Sequence, residues 1–147
     1  MPQVNELYQE IIIDHNEHPL NEGVLADATH RAKAYNSSCG DELDVSLKIH
    51  NGCIVDVRFQ AQGCAISRAS GSMMTEFIKG MKAEDAKRFS SEMQRWLNGS
   101  DATIDPQKLG DLQALLGVKQ FPMRVKCATL AWHTLDDALD RLIEKSA

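Results

Sequence analysis

The hydrophobic positions divide the chain by their period. From Val4 to about Asn16, the residues Val4, Leu7, Tyr8, Ile11 and Ile12 recur at three- and four-residue steps, and Pro19 lies just beyond. That spacing puts them on one face of a helix, which the proline then stops. The stretch from Asn21 to Thr29 has no consistent period. Leu43, Val45, Leu47 and Ile49 next alternate with Asp44, Ser46 and Lys48, and a second alternation runs through Val55, Val57 and Phe59. Asn51-Gly52 lies between these runs and readily takes the positive backbone angles of a two-residue turn, so the pair predicts a β-hairpin. A third strand, weaker in pattern, spans Arg31 to Asn36.

After Gln62-Gly63 the period lengthens. Ile66, Ala69, Met73, Met74, Phe77 and Ile78 form one helical stripe that ends at Gly80, with Met73, Met74 and Phe77 as core filling. From Ala83 to Gly117 the pattern predicts short helical pieces, with Trp96-Leu97 before an Asn98-Gly99-Ser100 turn and Leu109, Leu112, Leu115 and Leu116 after it. Phe121-Pro122 opens a last helix whose apolar face runs from Val125 through Trp132 and Leu135 to Leu142 and Ile143. Strands followed by helices, without an internal repeat, predict an α+β domain: a small antiparallel sheet of three strands covered by helices.

Composition narrows the chemistry. At 147 residues with 43% hydrophobic and 25% charged positions, one core is expected over residues 1–147. A chain of this length buries enough surface to fold without disulfides or a metal. The formal charge of -5, with no basic cluster, argues against nucleic acid, whose binding rests on phosphate neutralisation. The longest apolar run is Ile11-Ile12-Ile13 and the first residues lack a basic and an apolar region, so neither a membrane span nor a signal peptide is expected. A cytoplasmic setting would keep Cys39, Cys53, Cys64 and Cys127 as thiols, metal ligands or catalysts.

The four differ in setting. Cys53 shares strand parity with Val55, Val57 and Phe59 and reads as a buried core thiol. Cys39 lies in the polar loop Asn36-Ser37-Ser38-Cys39-Gly40-Asp41, where nothing apolar would bury it. Cys64 falls at a helix N-terminus, where the partial positive charge favours a thiolate; packing at the helix start is the equal alternative. Cys127, among Val125, Ala128 and Leu130, is by itself most simply core. Together with Asp41, the three cysteines Cys39, Cys64 and Cys127 could complete a shell for zinc or hold an iron-sulfur cluster. The ligands would be separated by one, 22 and 62 residues, unlike any zinc ribbon or finger, and no C-x-x-C occurs. Such scattered ligands suggest an adjustable site rather than a folding staple. His15, His18, His30, His50 and His133 neighbour no cysteine and are expected in surface or capping roles. Nucleotide-binding glycine motifs, the serine-hydrolase elbow and the deaminase signature are absent.

These residues resemble the IscU-like family of iron-sulfur assembly proteins, and within it the SufU branch, nearly end to end. Leu7-Tyr8 through Asp14-His15 and Pro19-Leu20-Asn21 match its opening helix and D-H-x-x-x-P-x-N pattern. Cys39-Gly40-Asp41 matches its C-G-D motif, Gly63-Cys64-Ala65-Ile66-Ser67 its second cysteine, and Val125-Lys126-Cys127-Ala128-Thr129-Leu130-Ala131-Trp132 its third. Scaffolds of the IscU type carry a histidine before the third cysteine, within a chaperone-recruiting segment. Here Phe121-Pro122-Met123-Arg124-Val125-Lys126 stands in its place. Asn98 to Val118 looks like the helical insert of the SufU branch. Ser38 before Cys39 is a minor departure.

The resemblance implies that Cys39, Asp41, Cys64 and Cys127 bind zinc. It implies that the protein accepts persulfide sulfur from a PLP-dependent cysteine desulfurase, with Cys39 as acceptor, and passes it to downstream iron-sulfur assembly proteins. Arg124 or Lys126 would stabilise sulfur anions nearby. Two alternatives stay open on the same ligands: a non-enzymatic scaffold that assembles a [2Fe-2S] cluster from iron, and a non-catalytic, zinc-stabilised interaction module.

Overall fold

The structure, a computed structural model, describes residues 2–36, 40–99, 104, 106–119 and 121–141, with side chains from Tyr8 onward. Expectations for Val4, Leu7, Cys39, Ser100, Leu142 and Ile143 lie outside those side chains. The elements run in the order α1 (Pro2–Glu17), β1 (His30–Asn36), β2 (Asp41–His50), β3 (Cys53–Gln62), α2 (Ala65–Ile78), α3 (Ala83–Leu97) and α4 (Pro122–Asp140), with two 3-10 segments, Pro106–Lys108 and Gly110–Val118, before α4.

The strands form one antiparallel sheet in the order β1-β2-β3. Asn51 and Gly52 take φ of 52° and 78°, as the hairpin reading requires. Leu43, Val45 and Leu47 of β2 and Val57 and Phe59 of β3 are fully buried against α2 and α4, whose Ala69, Met73, Met74, Ala128, Ala131 and Trp132 complete the core. The close approach of α2 to β3 depends on Gly71, where a Cβ would stand 2.8 Å from the Phe59 ring. Phe77 stacks on Phe89 of α3 at 4.6 Å between ring centroids.

On its outer face the sheet is covered by the segment that showed no period. The Leu25 N–H donates to Ser46 Oγ and the Thr29 N–H to the Leu47 carbonyl, while the Arg31 guanidinium donates to both Asp44 oxygens, so Ser46 and Asp44 are buried although their positions alternate with the core. Backbone from outside the strands also meets both edges. Phe59 exchanges hydrogen bonds with Asn21 and Gly23, Ile54 with Gly80 and Met81, and the Arg31 N–H donates to the Arg141 carbonyl at the end of α4.

Three expectations change. Cys53 is half-buried rather than core. Lys48 pairs with Asp56 and Ile49 with Ile54, which leaves Val55 as an extra residue in β3. A bulge of one residue reverses side-chain parity, so Ile54 turns inward, Val55 is 44% exposed and Cys53 leaves the core face. Residues 83–97 form one continuous helix instead of short pieces. Its polar positions obscured the period, but Ala86, Ser90, Met93 and Leu97 keep three- and four-residue steps and are buried.

His15 is the third correction. It is buried, with Nδ1 2.7 Å from Ser72 Oγ and Nε2 2.8 Å from Asp111 Oδ2. A carboxylate only accepts, so Nε2–H donates to Asp111, while Nδ1 and the Ser72 hydroxyl share a hydrogen bond and Ser72 Oγ also accepts the Leu20 N–H. One imidazole thus ties α1 to α2 and to the segment Gly110–Val118. His15→Ala is expected to cost about 2–3 kcal/mol, because it strands a fully buried hydroxyl and leaves a void. Asp111→Ala, at an exposed carboxylate, should cost less than about 1 kcal/mol. Urea unfolding midpoints check this; equal small losses would remove His15 as the tie.

Candidate metal centre

The end of the sheet where β1 ends at Asn36 and β2 begins at Asp41 lies beside the exit of β3, and the site is built there. Asp41 opens β2, opposite Asn36, directly after Gly40, whose φ of +72° is a glycine conformation and whose N–H donates to the Asn36 carbonyl. β3 leaves the sheet at Gln62, and Gly63 carries the chain across the Asp41 carboxylate with φ of +135°. A Cβ on Gly63 would lie 1.9 Å from Asp41 Oδ1, so only glycine passes there.

Cys64 is the N-cap of α2, extended at φ -79° and ψ 163°, and its side chain makes no capping bond. Its N–H instead donates to Asp41 Oδ1 at 2.8 Å, and its Sγ is 3.5 Å from Asp41 Oδ2. Cys127 enters from the second turn of α4, buried, with its Sγ 3.6 Å from the Met123 carbonyl. One donor atom from each of Asp41, Cys64 and Cys127 lies within 4.8 Å of the others. Residues 23 and 63 positions apart in the sequence therefore meet at one point.

The donor set fits zinc. Two thiols and a carboxylate match its taste for sulfur and oxygen, and tetrahedral coordination places donors about 3.3–3.8 Å apart, close to what side-chain rotation can reach here. Iron-sulfur clusters accept the same thiolates. Cys39, the expected fourth ligand, lies outside the described residues. Cys53 stands apart from this cluster.

Around the thiols, Ala65, Ile66, Met123 and Arg124 line an open cavity of about 400 Å³. The Arg124 guanidinium lies over the Phe121 ring, 5.3 Å from its centroid. Lys126 instead lines a separate depression with Tyr35, Thr129 and His133. Of the two basic residues considered from sequence, Arg124 borders the thiol cavity.

A model of the NifU-like N-terminal domain matches residues 7–128. The chain belongs to this family. It is 41% identical over 135 residues to the zinc-dependent sulfurtransferase SufU of Bacillus subtilis (strain 168), covering 90% of this chain and 89% of that protein. It is 37% identical over 136 residues to the iron-sulfur cluster assembly scaffold protein IscU of Thermotoga maritima, covering 92% and 94%. A crystal structure of a putative iron-sulfur cluster assembly scaffold protein for the SUF system from Fervidobacterium islandicum AW-1 superposes with a TM-score of 0.82 at 35% identity, over 88% of this chain and 94% of that one. The α+β architecture and the family expected from the motifs are both borne out.

Two further residues of the second-cysteine motif, to which the sequence alone assigns no task, shape the site. Gly63 carries the chain over Asp41, and Ser67 directs its hydroxyl at the same carboxylate from 2.5 Å. A glycine before a cysteine at a strand-to-helix junction, and a serine one turn into that helix, were the available signals. Among the described residues, no helix is long and apolar enough to cross a membrane.

Proposed function

We propose that this chain is a zinc-dependent persulfide acceptor that activates a PLP-dependent cysteine desulfurase in the cytoplasm and passes sulfur toward iron-sulfur cluster assembly. The observation that carries the reading is the convergence of Asp41, Cys64 and Cys127 within 4.8 Å. The similarity to the Bacillus subtilis SufU supports it. So does position 126, where an exposed lysine precedes the third cysteine and offers no further metal donor.

Asp41, Cys64 and Cys127 retain the metal, with Cys39 as the exchangeable fourth ligand. When bound, zinc keeps these thiols deprotonated at neutral pH and therefore nucleophilic or ligating as required. Cys39 is two residues from Asp41 in the sequence, and two peptide units span at most about 7 Å. Its sulfur attacks the outer sulfur of a persulfide on the desulfurase. A new S–S bond forms on Cys39 as the partner's S–S bond breaks, and the partner's cysteine leaves as a thiolate, so electrons balance without an external oxidant. Arg124, at the rim of the cavity, places positive charge beside the thiols.

The experiment is metal analysis of the purified protein with desulfurase turnover. About one zinc per chain is expected; chelation should abolish stimulation of the desulfurase and added zinc should restore it. The scaffold reading, which the Thermotoga maritima relative favours, predicts otherwise. A stoichiometric [2Fe-2S] cluster formed under anaerobic reconstitution and transferable to an apo-ferredoxin, without desulfurase stimulation, would overturn the sulfurtransferase assignment.

A further inference from the structure

We infer that Ser67 is a positioning residue of the metal centre, fixing the Asp41 carboxylate that faces the thiols; the inference rests on the zinc reading above. Ser67 stands in the first turn of α2, three residues after Cys64, and is fully buried. Its Oγ lies 2.5 Å from Asp41 Oδ2, 3.4 Å from the Cys127 carbonyl oxygen and 3.6 Å from Cys64 Sγ. All three neighbours belong to residues of the site.

A hydroxyl has one proton to give. The shortest contact receives it: a separation of 2.5 Å is that of a charge-assisted O–H···O⁻ bond, whereas the other two are at the limit of useful geometry. Asp41 is therefore held at both oxygens, Oδ1 by the Cys64 N–H and Oδ2 by the Ser67 hydroxyl. Two bonds on opposite oxygens stop rotation about the carboxylate axis. The oxygen that Ser67 holds is the one 3.5 Å from Cys64 Sγ, so the bond sets how the carboxylate and the thiol face each other.

Ser70, one turn further along the same buried face, is an internal comparison. Its hydroxyl donates to the Ala128 carbonyl at 2.7 Å and joins α2 to α4 without touching a candidate ligand's side chain. Both serines are buried, small and hydrogen-bonded. They differ in what they bond: one the backbone of a helix, the other a carboxylate that would bind metal. Groups that orient a ligating carboxylate typically govern metal affinity by 10–100-fold, and that is the effect assigned to Ser67.

The test is competition for zinc against a chromophoric chelator, using the full chain. Ser67→Ala should lower zinc affinity by about 10–100-fold, Ser67→Thr should stay within a few-fold of wild type, and Ser70→Ala should lower the unfolding midpoint while leaving zinc affinity within about two-fold. If Ser67 acts through Asp41, Ser67→Ala should change affinity by less than about two-fold when added to Asp41→Ala. Far-UV circular dichroism checks folding, and Ser67→Gly carries the same expectation should the alanine variant fail that check. Wild type binding zinc with Ser67→Ala equally tight, or full losses in both Asp41 backgrounds, would overturn the role of Ser67 and leave the zinc reading standing. A wild type that takes up no zinc overturns both.

Discussion

With Cys39 replaced by alanine, sulfur acceptance is expected to fall to background and the desulfurase to return to its unstimulated turnover. The other thiols of the site are poorly placed to substitute. Cys127 is 4% exposed within α4, and Cys64 is half-buried with its sulfur against Asp41 and Ser67. Attack on a partner's persulfide needs a sulfur that reaches into another protein, and transfer rates follow access as well as thiolate content. Zinc should remain bound by Asp41, Cys64 and Cys127 at reduced affinity, which separates loss of the acceptor from loss of the metal. Intact-mass detection of added sulfur, with alanine formation by the desulfurase, reads both effects. Undiminished stimulation and sulfur loading in the variant would remove Cys39 as acceptor, and would favour an interaction module in which zinc only stabilises the surface.

Gly63→Ala should be the most damaging of the glycine-to-alanine changes. The added Cβ would fall 1.9 Å from Asp41 Oδ1, 2.8 Å from its Cγ and 2.9 Å from its Cα, and φ of +135° is foreign to residues with a side chain. Backbone strain of about 1–3 kcal/mol and overpacking of about 1–3 kcal/mol act together, so a loss of about 3–5 kcal/mol is expected. Because relief requires Asp41 to move, zinc affinity should fall with stability. Gly40→Ala is the control. It also sits at positive φ, +72°, but has nothing within 4 Å of the added methyl, and should cost only about 1–2 kcal/mol. Denaturant unfolding of the metal-free proteins measures the difference; similar losses at the two glycines would mean that the carboxylate yields easily.

Much of this was legible in the sequence because each signal was local. The Asn51-Gly52 turn, the stripe of α2 and the proline opening α4 all follow from neighbouring residues, and the three motifs contain Asp41, Cys64 and Cys127, whose donor atoms the fold brings within 4.8 Å. What escaped depended on contacts distant in sequence. The bulge at Val55 is a property of pairing between β2 and β3, and it alone moved Cys53 off the core face. His15 looked like a surface residue until Ser72 and Asp111, 57 and 96 positions away, were brought to its two nitrogens. α3 was obscured because much of its length is polar, which weakens a pattern read from apolar residues alone.

The backbone bonds at the margins of the sheet bear on how the molecule avoids the wrong company. A three-stranded sheet has two edges, and open edges invite another chain to add a strand, the first step of many aggregates. Here Asn21, Gly23, Gly80 and Met81 occupy backbone groups along β3, and the carbonyl of Arg141 meets β1 at Arg31. A carrier of the kind proposed above would be poorly served by strands that bind any extended peptide. With those edges occupied, the exposed Met123 and Arg124 beside the thiol cavity are left as side-chain surface, where shape and charge rather than strand pairing can tell one visitor from another.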